Sequence, residues 1–211
     1  MREKLVEISG VYFSYNSSPL LTDINLCIHK GDFVGVVGAN GCGKTTLVKL
    51  LLGHLTPHKG TILHYSDGRP VATPAIGYLP QYAAVDKRFP LSVREVVETG
   101  LLTPHKMWNP FIASADRRRV DATLEQMGIA GLSSTPIGNL SGGELQKAIL
   151  ARAIVSSPRL LLLDEPDTYL DSYSQEHLYA LLKEINKDCA ILLVSHDVSA
   201  VSEKCNRLLS L

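Results

Sequence analysis

The chain has 211 residues, 45% of them hydrophobic, with 21 Lys plus Arg balancing 21 Asp plus Glu. That length suits one well-cored domain, with room for an inserted subdomain, and the even charge argues against a broadly basic surface, so no nucleic-acid partner is expected. Apolar runs such as Leu160 to Leu163 and Ala190 to Val194 fall far below the roughly 18 residues that span a bilayer, and Glu3 and Glu7 stand where a signal peptide would be apolar, so a soluble cytosolic chain is expected.

Residues 3 to 30 carry Val, Ile, Tyr and Phe in partial alternation, broken by Asn16, Ser17, Ser18 and Pro19, which predicts strands joined by a turn. Tyr12, Phe13 and Tyr15 in this region suit either sheet packing or stacking on a purine.

The apolar run Phe33 to Val37 then leads into GANGCGKTT, residues 38 to 46. Gly38, Gly43, Lys44 and Thr45 fill G-x-x-x-x-G-K-[ST], and glycines at 38, 41 and 43 let a tight loop aim its N–H groups inward at phosphates. Asn40, Cys42 and Thr46 belong to the same loop. The helix predicted from about Gly43 adds the positive end of its dipole; Lys44 can reach β- and γ-phosphates, and the Thr45 hydroxyl can ligate Mg²⁺. Leu47, Leu50 and Leu51 give that helix an apolar face, and Gly53 is the expected C-cap.

The four cysteines, 27, 42, 189 and 205, have no CxxC or metal-ligand spacing and are expected in or near the core. Cys42, beside a helix N-terminus, is expected to be alkylated readily and shielded by nucleotide. His54, His58 and His64 also lack metal spacing and are expected as exposed loop residues, around a strand Thr61 to Tyr65. A short strand Ala75 to Leu79 precedes Pro80 and Gln81, a polar side chain at a strand end.

From Tyr82 to about Pro158 the chain is helix-friendly, with predicted helices Val93 to Leu102 and Ala115 to Met127. Arg117 to Arg119 read as a solvated face, and Trp108 and Phe111 in a proline-bounded loop suit either a docking anchor or local packing. In Leu140 to Pro158, Ser141 and Glu144 have capping-box spacing, while Gly142 and Gly143 clear the helix N-terminus for an anion. A buried strand then ends in Asp164 and Glu165, and a last strand, Ala190 to Val194, delivers Ser195, His196 and Asp197.

Three apolar strands thus end in chemistry, at Val37, Leu163 and Val194. Ligands of open parallel α/β sheets sit beyond such carboxyl ends, so the three ends are expected to converge. Asp164 suits a Mg²⁺ partner, Glu165 the orientation or deprotonation of an attacking water, and His196 a γ-phosphate contact. The expected fold is α/β: a nucleotide-binding core with an antiparallel β part, residues 1 to 82 and 158 to 211, and a helical insertion near 83 to 157 within one domain.

At this point the chain resembles the nucleotide-binding subunit of ATP-binding cassette (ABC) transporters. The resemblance rests on GANGCGKTT, Gln81 in YLPQ, LSGGE, LLLLDEP, Leu170-Asp171 and Ser195-His196, in family order across essentially all 211 residues. It implies the ABC type of P-loop NTPase fold, ATP and Mg²⁺ as cofactors, and ATP hydrolysis coupled to transport. It implies Tyr15 as the adenine-stacking aromatic, Gln81 as a link between Mg²⁺ and a membrane partner, Asp171 as a cross-dimer contact and His196 as a γ-phosphate switch. It further implies a head-to-tail homodimer in which Ser141, Gly142 and Gly143 face ATP held by the second copy, an integral membrane permease that holds the subunit on the inner face of the cell membrane, and an extracytoplasmic solute-binding protein. Glu144 and Lys147 stand where many members have Gln and Arg. The stretch QYAAVDKRFPLSVREVVETGL is similar to the ATPases of zinc and manganese importers, with importers of haem or siderophores close behind. A small GTPase would need N-K-x-D, which Asn186 to Cys189 fail at the fourth position; a metabolite kinase would leave LSGGE unexplained; a cassette acting on DNA or ribosomes would usually carry coiled coils or a second cassette.

Overall fold

The computed structural model describes residues 2–72, 74–81, 88, 90–102, 113–168 and 170–211. Trp108, Phe111 and most of the stretch from Tyr82 to Phe89 lie outside them. In chain order, β1 (Lys4–Phe13), β2 (Leu21–His29) and β3 (Phe33–Val37) precede α1 (Lys44–Leu51), and β4 (Lys59–Ser66), β5 (Arg69–Val71) and β6 (Ile76–Leu79) follow. Next come α2 (Val93–Thr99), α3 (Ser114–Gln126) and α4 (Gly142–Ile154), then β7 (Leu160–Asp164), α5 (Ser172–Ile185), β8 (Ala190–Ser195), α6 (Val198–Lys204) and β9 (Arg207–Ser210).

The strands form two sheets. One is antiparallel with the order β2-β1-β4-β5; the other is parallel with the order β6-β7-β8-β3-β9. Every residue of β3, β7 and β8 is buried, which is why those segments read as unbroken apolar runs rather than alternating ones. Successive side chains point to opposite faces. Leu161, Leu163, Ile191 and Leu193 join the core under α2 to α6, whereas Leu160, Leu162, Leu192 and Val194 join the core under α1 and the antiparallel sheet. The parallel sheet is therefore the middle of three layers. Leu162 is fully buried, and its truncation to Ala would cost about 2–5 kcal/mol.

Local signals set most helix ends. Gly53 has φ 72, and its N–H and that of His54 bond to the Leu50 and Lys49 carbonyls, a Schellman end just past the C-cap Leu52. Both halves of the capping box form at Ser141 and Glu144, and a second box forms at Ser92 and Glu95. Helix α2 ends three residues short of the expected Leu102: Gly100 caps it where a Cβ would stand 2.0 Å from the Arg152 carbonyl, so α4 crosses there at backbone contact. The strand predicted from Thr61 to Tyr65 forms as part of β4, and His64 within it departs from the expected exposure: it is half-buried, and burial lowers its pKa. Elements β5, α5, α6 and β9 come from the structure alone.

Parallel pairing aligns the chemistry. Val37 pairs with Ser195 and Asp164 with Val194, so β3, β7 and β8 end within about one residue of the same level and point the same way.

Candidate active site

The loop between β3 and α1 depends on its glycines for two separate reasons. Gly43, the N-cap of α1, has φ 106, and Gly41 has φ 81, conformations that L side chains rarely adopt. Gly38 instead is needed for space, since a Cβ there would stand 2.7 Å from Cys42 Sγ and 2.8 Å from the Leu211 carbonyl oxygen. Lys44, only 5% exposed, folds back and donates from Nζ to the Gly38 and Ala39 carbonyls at 2.8 and 2.9 Å.

Across the loop, Thr45 Oγ1 donates to Asp164 Oδ1 at 3.3 Å. Asp164 is 1% exposed, and its Oδ2 has no hydrogen-bond partner among the described residues. Burial pushes its carboxyl above the usual range, with the Thr45 bond opposing. A buried, unpartnered carboxylate oxygen beside a hydroxyl is a donor set suited to Mg²⁺, which prefers oxygen ligands and keeps several waters. The residues at this position fit the ion.

Glu165, next along the chain, has φ 50, and its N–H bonds to the Val194 carbonyl at 2.9 Å. Its side chain lies between two polar neighbours: Thr168 Oγ1 is 3.5 Å from Oε2, and His196 Nδ1 is 3.6 Å from Oε1. His196 is about half exposed on the rim.

A cavity of about 570 Å³ collects these groups: Tyr15, Asn40, Gly41, Gly43, Lys44, Thr45, Thr46, Gln81 and Glu165 line it. At one end Tyr15 presents an exposed ring, with its hydroxyl accepting from Thr46 Oγ1 at 3.4 Å. Phe13 meets that ring edge-on at 5.0 Å, and His58 stacks on Phe13 at 5.1 Å while contacting the Ser14 carbonyl at 2.9 Å. Leu20 also lines the cavity, and the sequence reading misses it because an apolar residue in a turn carries no motif.

Ser141 and Gly143 do not reach this cavity. They line a second one of about 400 Å³ with Tyr173, His177 and Leu181. Ser141 Oγ donates to Glu144 Oε2 at 2.7 Å, and these bonds hold the Glu144 carboxyl below its ordinary value. Gly142 and Gly143 have nothing among the described residues within 4 Å of a would-be Cβ, and neither has a positive φ. Asp171, the N-cap of α5, accepts from the Ser174 N–H at 2.8 Å, which lowers its pKa.

Comparison with known proteins decides the family. The model of the ABC transporter family matches residues 21–168. The chain belongs to the ABC transporter family. Among relatives of this ABC ATPase, the zinc import ATP-binding protein ZnuC of Saccharophagus degradans is 37% identical over 213 residues, covering 100% of this chain and 77% of that protein. The zinc uptake system ATP-binding protein ZurA of Listeria innocua is 35% identical, covering 99% and 82%. A solved structure described as an ABC transporter of the metal-chelate type in an inward-facing conformation superposes with a TM-score of 0.87 at 29% identity, covering 99% of this chain and 79% of that one. A nucleotide-free ATP-binding cassette shares the fold, with a TM-score of 0.85 at 18% identity, covering 99% and 87%. This ABC ATPase binds ATP and hydrolyses it to power transport. Among its described residues, no helix is long and apolar enough to cross a membrane.

Proposed function

We propose that this ABC ATPase energises uptake of a metal ion, zinc or manganese, or of a metal chelate, through an integral membrane permease that holds it at the inner face of the cell membrane, with an extracytoplasmic solute-binding protein delivering the cargo. The observation that carries the metal assignment is similarity at 37% identity, over 100% of this chain, to a zinc import ATP-binding protein. Lack of a membrane-crossing helix among the described residues leaves the pathway to a partner.

ATP occupies the larger cavity with adenine on Tyr15, while N–H groups of Gly38 to Thr46, including those of Asn40, Gly41, Cys42 and Gly43, surround its phosphates. Lys44 releases its own loop carbonyls and turns to the β- and γ-phosphates. Thr45, Gln81 and Asp164 would hold Mg²⁺, which when bound would supply positive charge to neutralise the negative charge that develops during phosphoryl transfer. Glu165 orients or deprotonates the attacking water, and His196, beside it, contacts the γ-phosphate. Within residues 83 to 157, α2, α3 and α4 form the helical unit that carries LSGGE to a second copy.

Among the described residues nothing requires glycine at 142 or 143, which supports approach from outside. Ser141, Gly142, Gly143 and Asp171 therefore act on ATP held by a second, head-to-tail copy. Two ATP close the pair, and hydrolysis opens it.

The tests are direct. Glu165→Gln should trap an ATP-bound dimer on size-exclusion chromatography, and normal turnover by that variant defeats the catalytic assignment. Co-purification with an integral membrane subunit and metal-dependent stimulation of ATPase support the transport reading; stimulation by nucleic acid instead would replace it.

A further inference from the structure

The turn from Glu165 to Asp171 is held from one side by α5, through residues that no motif marks. Tyr179 donates its hydroxyl to Asp167 Oδ2 at 2.8 Å, and both side chains are buried, 5% and 8% exposed. One helical turn earlier on the same face, Gln175 Nε2 donates to the Asp167 and Leu170 carbonyls, at 3.3 Å each. Within the turn, the Leu170 N–H bonds to the Asp167 carbonyl at 3.2 Å and the Thr168 N–H to the Glu165 carbonyl at 3.4 Å. Tyr179 also touches the element after His196: Lys204 Nζ, on α6, stands 5.8 Å from its ring centroid. The ring thus sits at the junction of the segment bearing Glu165 and the segment bearing His196.

Packing alone does not account for this pair. An apolar pair of similar volume at a buried site is often as stable as a charged or polar one, so a carboxylate there serves geometry better than it serves stability. Burial and the bond to Asp167 push the Tyr179 phenol well above its ordinary value, which keeps it a proton donor. Two residues before Asp167 the backbone is unusual: Glu165, with φ 50, is a non-glycine residue in the left-handed region, and such a residue persists only where its surroundings hold it.

We propose that Asp167, Tyr179 and Gln175 are positioning residues for hydrolysis, a clamp that holds the Glu165 backbone in its left-handed conformation and so keeps its carboxylate at His196 and at the attacking water. This rests on the reading of Glu165 as the group that acts on water. No bond to the nucleotide is involved. The clamp therefore governs turnover and leaves ATP binding alone.

The experiment uses the purified full chain with Mg²⁺ and ATP, measuring kcat, KM, affinity for a fluorescent ATP analogue and the melting midpoint. Tyr179→Phe deletes one hydroxyl and keeps the ring. It and Asp167→Ala should each lower kcat by about tenfold, while KM and analogue affinity stay within about twofold. Asp167→Asn still offers an oxygen to Tyr179 and should keep at least about half the rate. The double variant Tyr179→Phe with Asp167→Ala should be no slower than the worse single one. The proposal is overturned if Tyr179→Phe turns over ATP at the unmodified rate while Glu165→Gln is inactive. It is also overturned if kcat and melting midpoint fall while KM rises, with Asp167→Asn no better than Asp167→Ala, the pattern of a purely structural contact. Normal turnover by Glu165→Gln removes the reading beneath it instead.

Discussion

A methyl group added at Gly43 tests the phosphate loop in two respects at once. Gly43→Ala forces an L residue to φ 106, outside the right-handed regions, at about 1–2 kcal/mol. The new Cβ would also lie 2.6 Å from Leu21 Cδ2 and 3.2 Å from Leu20 Cγ. Leu21 is 2% exposed and has no room to turn away, so overpacking adds about 1–3 kcal/mol. The expected loss is about 2–5 kcal/mol, a large part of the total for a domain of this kind. Two neighbours separate the contributions. Gly41→Ala carries only the conformational cost, because φ is 81 with nothing among the described residues within 4 Å, and Gly38→Ala carries only the steric one. Urea unfolding of the nucleotide-free chain measures all three, and Gly43→Ala should be the least stable. If it lies within about 0.5 kcal/mol of either neighbour, the assignment of two independent costs to that position is wrong.

Asp164 should make the empty chain more stable as pH falls. Its carboxyl pKa is raised by burial, so the folded state holds that proton more tightly than the unfolded state does, and stability is lost as pH rises through the raised value. Asp164→Asn should flatten this dependence in urea melts and weaken the Mg²⁺ enhancement of ATP affinity at least about tenfold. Asp32 has the opposite sign. Burial pushes it up, but the His29 N–H and the Arg207 guanidinium outweigh this and hold it below its ordinary 3.8, so its stabilisation is present above that value and lost as pH falls through the folded one. Because Arg207 and Arg2 are 41% and 70% exposed and can rehydrate, Asp32→Ala should cost about 1–3 kcal/mol, chiefly from the stranded His29 N–H, and should remove the acid-limb slope in thermal melts. Tyr15→Ala should weaken ATP binding by about 1–3 kcal/mol in calorimetry, while Tyr15→Phe, which keeps the ring, should lie near the unmodified protein.

What could be read from the chain was local. The phosphate loop, the box at Ser141 and Glu144 and the glycine after α1 each sit within a few residues of their partners, so spacing suffices. The buried strands were equally legible, since two covered faces leave no polar alternation. The long-range pairings were not. Strand β9 runs beside β3 from the far end of the chain, and Arg207 reaches Asp32 across 175 positions, neither with any local pattern. In DEPDTYLD the first, second and last letters announce chemistry. The buried role of Asp167 depends on a tyrosine twelve residues on, and became visible only when α5 was laid against the turn. The strand around His64 was legible, but its half-burial was not, because that depends on what β4 packs against rather than on its own polar sequence.

The lysine folded onto the Gly38 and Ala39 carbonyls carries a consequence for selectivity among anions. A resting loop whose cation is already satisfied sets a threshold: an incoming ligand must displace two charge-assisted bonds, each worth about 1.5–3 kcal/mol, before it gains the ammonium. Inorganic phosphate has few other contacts with which to offset that cost. A nucleotide that also reaches the aromatic end of the cavity recovers it there. The empty protein thus ignores the abundant small anion and answers the larger one.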